Sequence, residues 1–318
     1  MTKYIGIRIL GVFLTLLLVN AALFYIGRFV QIRFSDAEFM DKFVRTSQEY
    51  WVYLKNIVTE WYWGETKQFG PQSEHVWDVL IERSSLTIRL IITSFFFYTL
   101  FGILFGTLAA LYKERLIDNI ISFFILILSS VPAYITVMLL VIFFGYYLEW
   151  LPPINPSITR GWWYYLRGMI IPILAISGLP LARFTRLIRG EMIELFNSDY
   201  LMLLRTKGLS TRQMITRHFL KDAIVTLTPE MMPMVIYVMV TSFIVEKVYN
   251  VNGIAKWLFD SMFRPFDPAY IISINLPPMV IVGTFYTLIT LLAGLFIDIL
   301  STIMDPRIRL NGKNITGF

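Results

Sequence analysis

The chain contains no cysteine, and only two of its 318 residues are histidine. The first absence removes disulfides, thiolate nucleophiles and sulfur ligands for metal, and it leaves the redox compartment unmarked. The two imidazoles, His75 and His218, are too far apart in sequence to suggest a shared metal site. No stretch of the form GxxxxGK followed by Ser or Thr occurs, so ATP is not expected to bind here through a phosphate loop. Charge is sparse as well, with Asp, Glu, Lys and Arg making up 16% of the residues. Internal repeats, low-complexity tracts and Gly/Ser-rich linkers are also missing, which favours one main domain with a single insert.

What is present is apolar: 56% of the residues are hydrophobic and the mean hydropathy is +0.63, a balance that water-soluble domains rarely tolerate. Six stretches meet or approach the roughly 20 residues a helix needs to cross about 30 Å of hydrocarbon. They are 9–27, 90–112, 119–148, 168–182, 231–245 and 279–297. The third is longer than a crossing requires and contains Pro132, so a tilt or kink is expected, and it is counted once. The fourth and fifth are short and carry Pro172, Gly178, Pro180 and Pro233, and Asp298 interrupts the sixth. Continuous rather than alternating apolar runs exclude a closed barrel. The expected fold is therefore an all-α polytopic membrane protein with about six transmembrane helices.

Lys and Arg in short loops resist translocation and set orientation. Lys3 and Arg8 precede the first span, and Lys113 with Arg115 follows the second. Arg183, Arg186, Arg189, Arg205, Lys207, Arg212, Arg217 and Lys221 follow the fourth, and Arg307, Arg309 and Lys313 follow the sixth. Under the six-span reading all four clusters fall on one face, so both termini are expected in the cytoplasm and His75 and His218 on opposite sides. The formal charge of +6 belongs to these flanks and forms no aromatic-interleaved patch, so no nucleic-acid partner is expected. Phe24, Tyr25 and Arg28 stand where a cleavable signal would need small residues, so the first span reads as a retained helix.

The expected organisation is a first transmembrane helix over 1–30, a small extracellular subdomain over 31–83, a transmembrane core over 84–310 and a cytoplasmic tail over 311–318. The insert is acidic, through Asp36, Glu38, Asp41, Glu49, Glu60, Glu65, Glu74, Asp78 and Glu82. It also holds Tyr50, Trp51, Tyr53, Trp61, Tyr62, Trp63 and Trp77, which fit either an interfacial aromatic belt or a docking surface. The loop 149–167, with Pro152, Pro153, Pro156, Trp162 and Trp163, is expected outside.

Residues 190–221 hold two short helices. Ser198 or Asp199 is placed to cap the first, Gly208 suits a left-handed terminator, and Lys207 suits the negative helix end. Ser210 with Gln213 then forms a capping box for the second. Tyr200, Leu203 and Leu204 stand at i, i+3 and i+4, which predicts an apolar stripe on the water side of the membrane. Such a stripe either enters a partner's groove or lies on the lipid surface. His218 is expected to pack or hydrogen-bond beside this segment. Glu230, Glu246 and Asp298 lie in or at the edges of spans, where an unpaired charge costs about 3 kcal/mol, so they should face protein, water or the interface.

Asp199, Tyr200, Arg205, Lys207, Gly208, Leu209, Ser210, Arg217 and His218, in that order, resemble the coupling motif of permease subunits in the oligopeptide and dipeptide branch of the ABC transporter family. The resemblance continues through Thr241–Glu246, Asn252, Gly253, Ile254, Asp298 and the run Asp305, Pro306, Arg307, Ile308, Arg309, and covers about 178–310 most fully. Leu204 and Thr206 stand where that family usually has alanine, and Ala255 where it has a second glycine.

The resemblance implies an ATP-driven importer in a prokaryotic cell membrane. Two homologous permease subunits would form the pathway, two ATP-binding subunits would carry ATP and Mg, and an extracellular binding protein would deliver the peptide. This chain would bind no cofactor or metal and catalyse nothing. Asp199, Tyr200, Leu203, Leu204, Arg205, Thr206, Lys207, Gly208 and Leu209 would couple it to an ATPase, supported by Ser210, Arg217 and His218. Ser129, Ser130, Pro132 and Glu246 are candidates for a gate or pathway. Nickel, glutathione or another small solute is the alternative cargo, an ion-coupled secondary transporter the alternative class, and a membrane enzyme a third.

Overall fold

The computed structural model describes residues 2–31, 39–66, 73–155, 161–262 and 275–304. Asp36, Glu38, Pro156, the run Asp305 to Arg309, Lys313 and the tail 311–318 lie outside them. The chain divides into two compact units, residues 1–89 with 250–291 and residues 90–249 with 292–318.

In the first unit, α1 (Thr2–Gln31) and α2 (Phe39–Glu60) form an antiparallel pair. Ring contacts run in opposite chain directions along it, from Phe29 on Phe39 through Tyr25 on Phe43 to Phe24 on Tyr53. Burying aromatic bodies while leaving hydroxyls for polar neighbours suits tyrosine at such a seam; Tyr25 donates to Ser47 at 2.9 Å. Phe24 also packs with Leu276 and Val280 of α12 (Leu276–Met304). Strands β1 (Glu65–Thr66) and β2 (Glu74–His75) pair antiparallel. Trp61, Trp63 and Trp77 cluster at centroid distances of 5.0 to 6.0 Å. Most of the insert's aromatics thus pack against one another or against α1, while Trp51 remains exposed. α3 (Val76–Leu111) begins inside the stretch read as insert, and the amide of Ile254, at the start of α11 (Ile254–Met262), donates to the Thr87 hydroxyl at 3.0 Å.

In the second unit, α4 (Leu116–Ser130) and α5 (Ala133–Leu140), which continues as a π-helical turn Val141–Tyr147, meet at 109°. Proline causes the bend. Its ring drives the preceding residue out of the helical region, and Val131 is extended at φ −100°, ψ 121°. Pro132 lacks an amide to continue α4, yet its carbonyl starts α5 by accepting the amides of Ile135 and Thr136, both at 3.0 Å. The third apolar run is therefore two short helices rather than one kinked one.

α6 (Trp162–Phe196) is the spine against which α4 and α5 pack. It does not stop where its apolar run ends, at 182, but carries Arg183, Arg186 and Arg189 as helical residues. Charge marks where a span leaves hydrocarbon, not where its helix stops. For the same reason Asp298 does not end α12. After α6 come α7 (Asp199–Thr206), α8 (Thr211–Met214), a π-helical turn Ile215–Phe219, α9 (Leu220–Leu227), a 3-10 turn Thr228–Glu230 and α10 (Met231–Val248). Among the described residues five helices are long and apolar enough to span a membrane, and six spans result when the bent α4–α5 pair counts as one.

α3 approaches α6 closely at Gly102 and Gly106, a small-xxx-small spacing that lets membrane helices touch backbone to side chain. A Cβ at Gly106 would lie 2.7 Å from Ile188 Cβ and 2.8 Å from the Thr185 carbonyl oxygen. Gly106→Leu should therefore destabilise the second unit by about 1–3 kcal/mol through overpacking. Gly190→Ala, at a helical glycine with no atom within 4 Å, should not. Thermal unfolding of the two variants in detergent distinguishes them.

Candidate functional site

The segment joining α6 to α9 is fixed by local chemistry at each end. Asn197 closes α6 by donating its amide to the carbonyls of Ile193 and Glu194, at 3.2 and 3.1 Å. Ser198 occupies the cap position of α7, but its hydroxyl donates back to the Leu195 carbonyl at 2.7 Å and caps nothing. The expected serine cap is absent because that carbonyl, freed at the end of α6, captures the hydroxyl first. Asp199 supplies negative charge in the first turn instead.

The far end of α7 is a Schellman motif. The amide of Gly208 bonds the Arg205 carbonyl at 2.9 Å and that of Leu209 bonds the Leu204 carbonyl at 3.3 Å. Gly208 has φ +74°, which costs glycine little and other residues strain. The capping box then starts α8: Gln213 accepts from the Ser210 amide at 3.0 Å while the Ser210 hydroxyl accepts from the Gln213 amide at 3.4 Å.

The π-helical turn Ile215–Phe219 inserts an extra residue into the helical phase and aims two neighbouring rings back at α7. Tyr200 and His218 Nδ1 share a hydrogen bond of 3.1 Å, and Phe219 lies 6.0 Å from the Tyr200 ring and 5.4 Å from Phe196. Burial, then the negative charge of Asp222, pushes the Tyr200 phenol above its ordinary range. Sequence alone places His218 beside the segment but gives no signal for the π turn that directs it.

The apolar stripe is split. Leu204 is 2% exposed and packs inward with half-buried Tyr200, whereas Leu203 is 52% and Met202 71% exposed. At about 100° per residue, Leu204 and Leu203 stand on opposite sides of Tyr200, about 100° from each other, and packing claims only Leu204. The outward face is thus Met202 and Leu203, with Arg205, Thr206 and Lys207 also exposed. Behind α7 a cavity of about 220 Å³ separates Leu201 and Phe196 from Ala110 and Leu111 at the end of α3.

The remaining candidates stand apart from this segment. The hydroxyls of Ser129 and Ser130 both donate to the Leu126 carbonyl, at 3.0 and 2.7 Å, in the last turn before the bend. Ser130 and Pro132 are exposed, whereas Glu246 is fully buried in α10. One strong interaction has no counterpart in the sequence reading. Arg189 of α6 donates from Nε and Nη2 to the two carboxylate oxygens of Asp118 in α4, at 2.8 and 2.7 Å. The pair spans 71 residues, and no local pattern announces it.

Residues 102–310 match the family described as binding-protein-dependent transport system inner membrane component. The chain belongs to that family. Among its relatives, this permease is 28% identical over 267 residues to the dipeptide transport system permease protein DppB of Lactococcus lactis, covering 83% of this chain and 80% of that one. It is 27% identical over 271 residues to the oligopeptide transport system permease protein OppB of Haemophilus influenzae, covering 82% and 80%. A solved inward-facing MetNI methionine ABC transporter shares the fold, with a TM-score of 0.55, 15% identity and coverage of 74% of this chain and 100% of that one.

Space around Gly208 is open, with no atom within 4 Å of a built Cβ, so only backbone strain opposes substitution. Gly208→Val should destabilise the permease by roughly 1–2 kcal/mol, while Gly208→Asn, tolerant of left-handed φ, should cost less. Melting temperatures of the purified variants give the order.

Proposed function

We propose that this permease is one of two membrane subunits of an ATP-driven importer of dipeptides or oligopeptides. Family membership and similarity to the dipeptide permease DppB and the oligopeptide permease OppB support the peptide cargo. In this reading the α7 segment lies on the cytoplasmic side, and ATP and Mg are held by two partner ATPase subunits. A second permease completes the pathway, and a binding protein delivers peptide from outside. The core over 84–310 moves, and the chain itself does no chemistry.

One observation carries the proposal: α7 presents Met202 and Leu203 outward from a support fixed at both ends. Two exposed apolar side chains among exposed Arg205, Thr206 and Lys207 suit a protein groove with an acidic rim. Tyr200, Leu204, Gly208, Leu209, Ser210 and His218 act behind that face, holding it in place, and Asp199 and Arg217 flank them. Ser129, Ser130 and Pro132, at the bend, and buried Glu246 are assigned to gating.

The double variant Met202→Asp/Leu203→Asp changes only exposed side chains, so the permease should still insert and fold. Copurification of the ATPase subunits and peptide-stimulated ATP hydrolysis should both fall about tenfold or more, given the loss of two buried apolar anchors. Undiminished ATPase capture by this variant would refute the proposal. Uptake competition among defined peptides, nickel and glutathione then identifies the cargo.

A further inference from the structure

We propose that Asp118 and Arg189 are positioning residues that carry displacement of the α7 segment into the bend between α4 and α5. The inference rests on the docking of an ATPase at α7 and deepens it, by naming the joint through which the motion travels.

The load path follows from the contacts. α7 is stapled to the end of α6 by the Asn197 and Ser198 bonds and by the Phe196, Tyr200 and Phe219 rings, so α7 and the end of α6 move together. A cleft lies between Leu201 and the end of α3, so α7 meets α3 through α6, which touches α3 at Gly102 and Gly106 and α4 at Asp118. Arg189 lies about two turns before the end of α6 at Phe196.

Its partner Asp118 is 3% exposed and fully engaged. Besides the two guanidinium bonds, its carboxylate accepts the Glu114 amide at 2.9 Å and the Ser122 hydroxyl at 3.4 Å. Asp118 therefore fixes the 112–115 loop, the first turn of α4 and α6 at one point. A bidentate guanidinium–carboxylate pair sets orientation as well as distance, which a single bond does not. From that point α4, a helix of 15 residues in all, runs on as a rod to Ser130, where the 109° bend begins. Pulling the end of α6 thus moves the start of α4, and the rod delivers the motion to Val131 and Pro132.

The test uses the assembled complex in vesicles, with Asp118→Asn, which preserves shape, and Arg189→Lys, which preserves charge but not the fork. For Asp118→Asn, ATP hydrolysis should stay within about twofold of the parent while peptide uptake per ATP falls about tenfold, a normal size for a lost coupling. Arg189→Lys should fall between. Because the chain has no cysteine, a spin label at exposed Tyr134, near the start of α5, gives a second readout. Its spectrum should respond to ATP in the parent and lose that response in Asp118→Asn while hydrolysis continues. Parallel loss of uptake, hydrolysis and melting temperature would mark the pair as a fold staple and overturn the proposal, as would unchanged uptake. Failure of the parental chain to capture an ATPase would overturn the importer reading, and this inference with it.

Discussion

Backbone amides and carbonyls at membrane depth find no water, and each one left unpaired costs several kcal/mol. That constraint accounts for the helical character of the described residues, and it makes every departure from a helix informative. At the bend, Pro132 removes an amide and Val131 leaves the helix. The damage is offset within a few residues. Ser129 and Ser130 turn their hydroxyls onto the Leu126 carbonyl, and the Pro132 carbonyl gathers the amides that begin α5. The break is therefore bracketed by hydrogen bonds to the Leu126 and Pro132 carbonyls, and its two helices meet at 109°.

The same accounting explains how α7 holds together. A helix of eight residues is far below the roughly 12–15 needed for stability alone. Its order comes from outside: the end of α6 before it, the Schellman motif and capping box after it, and Leu204 with Tyr200 beneath it. These contacts fix which residues point away. Met202 and Leu203 face solution because Leu204 and Tyr200 are claimed by the interior.

Features governed by local chemistry were legible in the sequence. The apolar runs located the spans, Gly208 marked a left-handed residue, and Ser210 with Gln213 marked a capping box. Features governed by competition between neighbours were not. Ser198 has the right identity for a cap, but the Leu195 carbonyl takes its hydroxyl. Leu203 and Leu204 look equivalent in an i, i+3, i+4 pattern, and only packing decides which is buried. Hydropathy ends a span at the first charges, whereas α6 continues through three arginines and α12 passes Asp298. The π turn and the Asp118–Arg189 pair have no sequence signature, since one is a shift in helical phase and the other joins residues 71 apart. Arg189 reads as one more basic residue near a membrane boundary until its partner is seen.

The outward face of α7 is small. Burying Met202 and Leu203 in a groove contributes about 1.5–3 kcal/mol each, enough for a reversible contact that permits assembly and exchange. A contact of that size transmits motion only if what lies behind it deforms less easily than the contact itself breaks. A frayed or freely rotating α7 would absorb the displacement in its own backbone, and nothing would reach α4. In the proposed importer, the residues assigned to coupling are then those that stiffen the support without touching the partner: Gly208, Ser210, Tyr200 with His218, and the Arg189 fork on Asp118. On that proposal affinity and coupling are set by different side chains, and a change that weakens one need not weaken the other.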